Sequence, residues 1–137
     1  MNTTPGYALM AAVGLLTMTR VLVAHHGDAG RYEETTTTIS GTLVSAQLIN
    51  PHSALVLDVK DPSGNVVRWE AELGSMQSMK RWGWSRDTLK IGTTITLVGR
   101  KAKNGSPYIN LTEMASVADA DGKVLFQSNV EPPAPAR

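Results

Sequence analysis

The chain has 137 residues, 42% hydrophobic and 18% charged, with a formal net charge of +1, which suits one globular domain of ordinary composition and leaves no room for a second. It contains no cysteine, excluding a disulfide framework, a thiol nucleophile, a cysteine-based zinc site and a lipid-attachment cysteine. Stability must come from a core, and near-neutral charge argues against a phosphate-tracking surface, so nucleic acid is not an expected partner.

Tyr7 to Met18, "YALMAAVGLLTM", is an uncharged apolar run of the length of a signal-peptide h-region, and "LVA" at Leu22 to Ala24 ends in a small residue suited to cleavage. Residues 1–24 are therefore expected to be an export signal and the working protein periplasmic or secreted. The alternative is an uncleaved anchor, since no Lys or Arg precedes the run and Arg20 interrupts its end. The continuous run is, however, short of the ~20 residues a span requires, so membrane contact is expected only through this segment, if it is retained. Loss of Arg20 takes the basic count from 13 to 12, equal to the 12 acidic residues.

Residues 25–34 read as an extended polar arm, 35–127 as the folded domain, and 128–137, with "EPPAPAR", as a disordered tail. "TTTTISGTLVSAQLI", Thr35 to Ile49, is rich in β-branched residues and predicts a long strand bent at Gly41. Ser53 to Lys60 and Val66 to Leu73 predict two more strands around the turn "DPSGN". Ser75 to Trp82 predicts a short helix, N-capped by Ser75 and ended by Gly83. Thr93 to Ala102 and Tyr108 to Ala118 predict strands joined at Asn104-Gly105, with "KVLF" as a short sixth strand. The expected fold is all-β with one short helix, a small five- or six-stranded antiparallel barrel like the OB-fold; a plain six-stranded barrel or sandwich is the alternative. In the third strand, period-2 alternation puts Val67, Trp69, Ala71 and Leu73 on the core face and Arg68, Glu70 and Glu72 on the other.

With "AHHG", "INPHSALVLDV", "VRWEAELGS" and "KRWGWSRDTLKIG" in place, the chain resembles the family of uncharacterised bacterial exported proteins filed as domain of unknown function 6152. The matching positions are His25-His26, Tyr32, Gly41, Asn50-Pro51-His52-Ser53, Trp69, Glu72, Gly83-Trp84 and Leu89-Lys90 with Gly92; the departures are Gly27, Glu33, Ile91 and Thr93, where the pattern has serine, aspartate, proline and aspartate. The resemblance covers roughly the whole domain after the signal. It implies an exported small β-barrel and supplies no activity.

Cleavage after Ala24 would make His25 the first residue, and a terminal histidine offers a metal its α-amine and its imidazole together. Such a nitrogen-rich site favours Cu(II) at the top of the affinity order, with His26 or His52 as a third nitrogen; against this, an exposed histidine pair at a new terminus needs no function at all. If the hairpin is centred near Ser63, facing residue numbers sum to about 126, which sets Glu72 diagonal to His52, ~7–8 Å away between backbones and within reach of long side chains. The metal candidates are His25, His26, His52 and Glu72; for His52 a turn histidine bonded to backbone is the blander reading. Candidates for a partner or ligand are Asn50, Glu70, Trp82 and Trp84, although paired acids on a strand are commonly a solvated face and tryptophans beside a helix commonly seal a barrel end.

No Ser-His-Asp set and no phosphate loop is legible, so an enzyme is the less expected class. The expected function is an exported binding module, with copper or another transition metal as its sharpest ligand. The alternative is a metal-free accessory domain that docks a partner protein or small ligand through the barrel face.

Overall fold

The computed structural model describes residues 30–134. The expected signal segment, His25, His26 and the last three residues lie outside the described residues. Among those described, no helix is long and apolar enough to cross a membrane.

Among the described residues, seven strands and one helix follow in the order β1 (Thr37–Gln47), β2 (Ala54–Lys60), β3 (Val66–Glu72), α1 (Met76–Arg81), β4 (Thr94–Lys101), β5 (Tyr108–Asn110), β6 (Ser116–Ala118) and β7 (Val124–Gln127). The sheet runs β1-β2-β3-β5-β4 and closes because β1 also pairs with β4, giving a five-stranded barrel of the OB type with β6 and β7 added beside β4. One strand can serve both neighbours because it bends: residues 37–42 pair with β4 and residues 42–47 with β2, with a register shift between Leu43 and Ser45. Gly41 sits at the bend, where a Cβ would meet the Asp58 carbonyl oxygen at 2.6 Å, so any side chain there would push β1 and β2 apart.

The β2–β3 register runs from Ala54↔Glu72 to Lys60↔Val66, the pairing expected from a hairpin centred near Ser63. Two expectations need correction. The barrel is mixed rather than antiparallel, because β5 lies parallel to β3, a pairing between distant segments that local alternation does not reveal. The predicted strand from Tyr108 to Ala118 is also broken. Asn110, fully buried, accepts from the Thr112 backbone N–H at 3.0 Å and from its hydroxyl at 2.6 Å, and Met114 has φ of 49°; these side-chain bonds turn the chain in competition with the ladder.

The barrel is filled by Leu43, Leu55, Leu57, Leu73, Ile95, Leu97, Ile109, Leu111 and Val117, and Met79 of α1 plugs one end. Ser75 caps α1 by accepting from the Ser78 N–H at 3.2 Å, and Gly83, with φ of 79°, turns the chain away after it. In β3 the buried side chains are Ala71 and, just beyond the strand, Leu73, whereas Trp69 is only half-buried against the core's edge. The inward face of β3 thus fades toward the β2–β3 turn, and Trp69 is a flank rather than a core residue. At the other end of the chain, Ser128 still belongs to the barrel: its N–H donates to the Ala115 carbonyl and its hydroxyl accepts from the Ala115 N–H.

Candidate functional site

His52 stands in the β1–β2 connection, after a cis Asn50–Pro51 peptide. Ser53 beside it is fully buried and ladders with the end of β3, donating to Gly74 and accepting from Leu73 at 2.9 and 2.8 Å. That anchoring extends the hairpin register by one residue and aims His52 across at β3. Its Nδ1 lies 3.1 Å from Glu72 Oε1, with the imidazole 56% and the carboxylate 23% exposed. The ring is accessible while its partner is held half inside.

The second Glu72 oxygen, Oε2, accepts from the Tyr108 hydroxyl. Tyr108 opens β5, and the parallel β3–β5 pairing sets Glu72 opposite Asn110 and Glu70 opposite Tyr108, so the phenol and the carboxylate share the barrel's outer face. Burial, followed by the hydrogen bond and negative charge of Glu72, pushes the Tyr108 phenol well above the ordinary tyrosine range. Tyr108 is therefore a proton donor to Glu72 across the pH range in which proteins normally work.

Tyr108 in turn stacks on Tyr32, ring centroids 6.3 Å apart. Tyr32 is buried, bridges to Ala102, and lies within 5.6 and 5.8 Å of the guanidinium carbons of Arg31 and Arg100. Backbone bonds on either side, Lys103 N–H to the Arg31 carbonyl and Glu33 N–H to the Lys101 carbonyl, both 2.9 Å, fix the end of the arm to the barrel. A continuous series of contacts thus leads from the arm through Tyr32, Tyr108 and Glu72 to His52.

The chemistry of this series is that of an oriented imidazole. With Nδ1 3.1 Å from a carboxylate that a phenol also engages, the nitrogen left for a ligand is Nε2, the arrangement in which a carboxylate behind a metal-binding histidine orients the ring. Glu72, predicted as a ligand itself, has both oxygens engaged and stands behind His52. Among the described residues no group of three or more His, Cys, Asp or Glu could hold a metal ion; the barrel offers one good nitrogen, and further donors would have to come from elsewhere.

The remaining candidates are placed apart. Glu70 is exposed and its carboxylate makes no hydrogen bond or ion pair among the described residues, while Arg68 beside it is taken by Asp58 at 2.9 and 3.1 Å. Asn50 is exposed in its turn. Trp84 is 4% exposed and its indole N–H donates to the Leu125 carbonyl at 2.9 Å, while Trp82 packs edge-on against Phe126 at 5.4 Å. Their rings seal the end of the barrel beside α1. Tyr108 and Tyr32 were not among the sequence candidates; a tyrosine opening a strand beside a turn, with a hydroxyl that needs a partner when half-buried, was the signal available.

These features define a small OB-type barrel with one polar side-chain cluster on the face formed by β2, β3 and the adjoining loops. The chain belongs to the Family of unknown function DUF6152, whose model matches residues 12–109. That span includes all three histidines, Glu72 and Tyr108. No curated protein matches the chain.

Proposed function

We propose that the protein is an exported module that binds a transition-metal ion, copper foremost, where the N-terminal arm meets the barrel. His52 Nε2 is the barrel's donor, and the α-amine and imidazole of His25, made terminal by cleavage after Ala24, are the arm's; His26 is the substitute if the arm seats differently. The observation that carries this reading is the His52–Glu72–Tyr108 arrangement, with His52 Nδ1 3.1 Å from the Glu72 carboxylate, which sets one exposed imidazole on the same run of contacts that anchors the arm.

The distances favour it. Tyr32, which is anchored, lies seven positions after His25, and at ~3.3–3.6 Å per position the arm reaches about 23–25 Å, against 6.3 Å for the first step toward His52, from the Tyr32 ring to the Tyr108 ring. The donor set favours copper, since an amine and two imidazoles make a nitrogen-rich site. The position is also the face on which OB-type barrels commonly hold ligands, which is support by analogy of fold alone.

The test is a calorimetric Cu(II) titration of three proteins: the chain beginning at His25, the same chain with one alanine placed before His25, and His52→Ala. The extension removes the terminal chelate while keeping every side chain, and should cause the largest loss of affinity; His52→Ala should cause a smaller one. Equal affinity in all three would contradict the site and leave a metal-free module that docks a partner as the better reading.

A further inference from the structure

A second recess has a lining that includes none of His52, Glu72, Tyr108 and Tyr32. Between the end of β1 and the segment that follows α1 is a cleft of about 320 Å³ whose lining includes Gln47, Leu48, Ile49, Trp84, Arg86 and Leu89. It exists because β1 and β4 part company: their pairing ends at Thr42↔Thr94, and the last backbone bonds, Leu43 N–H to the Thr93 carbonyl and Gly92 N–H to the Leu43 carbonyl, close it off. Beyond Leu43 the flank of β1 faces the Trp84–Leu89 segment with no ladder between them.

The walls of the cleft are unlike one another. Trp84 and Leu89 are nearly buried members of the core, and the Trp84 N–H is already bonded to Leu125, so the floor is rigid and offers only apolar surface. Ile49 is 48% exposed at the lip, an apolar side chain that the fold itself leaves uncovered. Arg86 is exposed and forms no hydrogen bond or ion pair among the described residues; Asp87 next to it does not pair with it. The turn carrying Arg86 is held from within, Ser85 N–H donating to the Thr88 hydroxyl at 2.8 Å and Asp87 N–H to the Ser85 hydroxyl at 3.2 Å. A rigid apolar floor with one uncommitted guanidinium at its edge is complementary to an apolar body ending in one anionic group, and a guanidinium pairs best with a carboxylate in two-pronged geometry.

We propose that this cleft binds a small carboxylate with an apolar chain, the chain lying on Trp84, Leu89 and Leu48 under Ile49 and the carboxylate meeting Arg86. A volume of about 320 Å³ is at the small end of ligand sites, which selects a short aliphatic acid over a long-chain lipid. None of these residues belongs to the proposed metal site, so the two readings stand or fall separately.

The test is titration of the full chain with octanoate, octanol and acetate, following backbone amide signals of Gln47, Ile49 and Arg86 by NMR without added metal. Octanoate should shift those signals saturably, with octanol and acetate at least about tenfold weaker, the loss expected for a missing charge-assisted contact or a missing apolar one. Arg86→Gln should weaken octanoate to the level of octanol and leave octanol unchanged, Arg86→Lys should restore part of the difference, and Ile49→Ser should weaken octanoate and octanol alike. The proposal is overturned if octanoate produces no saturable shift at these residues, if octanol binds as well as octanoate, or if Arg86→Gln binds octanoate as tightly as the parent.

Discussion

Two regions of this barrel treat their polar groups differently. Beside α1, the Trp84 indole N–H donates to a backbone carbonyl and Trp82 packs on Phe126, so aromatic bulk and hydrogen bonding both serve closure. On the face shared by β3 and β5, Glu72 accepts from the Tyr108 hydroxyl and lies 3.1 Å from His52 Nδ1, and the series ends in an imidazole that is 56% exposed. The first arrangement commits the Trp84 indole N–H to the fold and leaves that ring only apolar surface, whereas the second holds an imidazole beside a carboxylate with one nitrogen unspent.

Stability measurements can break or sharpen that contrast. Trp84→Ala should be the costliest of the changes considered, ~3–5 kcal/mol by denaturant unfolding, because it empties a closed part of the core. Trp69→Ala should cost less, ~1–3 kcal/mol, since its ring is only partly buried at the core's edge; a reversed order would mean that the β3 flank, not the α1 end, closes the barrel. Tyr108→Phe should cost about 1.5 kcal/mol, the typical value of one hydrogen bond to a charged group, and should lower Cu(II) affinity without changing the fold's circular dichroism. Glu70→Ala should lie within ~0.5 kcal/mol, as a surface change with no partner to lose.

Tyr108 also predicts a pH dependence with a definite sign. Its folded-state pKa is raised above the unfolded value of ~10, so the folded protein holds this proton more tightly than the unfolded chain does. The associated stability is fully present below pH ~10 and declines as pH rises toward the folded-state value. Thermal unfolding between neutral and strongly alkaline pH should therefore show a loss in the parent that is smaller in Tyr108→Phe; equal alkaline slopes would remove Tyr108 from the account.

Much of the scaffold was legible in the sequence because its signals are local. The β-branched run of β1, the Pro-Gly turn before Val66 and the capped helix from Ser75 each carry their own evidence, and the hairpin arithmetic brought Glu72 to His52. What was not legible depends on distant segments meeting. Glu72 and Tyr108 are 36 positions apart and meet only because β5 enters parallel to β3, and Tyr32 is pinned by the end of β4. The broken strand at Asn110 was hidden for a different reason: β-branched and apolar residues on both sides preserved the strand pattern while one buried amide turned the chain.

The central claim is that Glu72 and Tyr108 hold His52 so that Nε2 is the free nitrogen. Long-range proton–nitrogen correlation NMR on the protein, at a pH where the imidazole is neutral, reads this directly. The account predicts that His52 carries its proton on Nδ1 with Nε2 bare, and that Tyr108→Phe shifts the population toward the other tautomer. A proton on Nε2 in the parent protein, or a tautomer ratio indifferent to Tyr108, would contradict it.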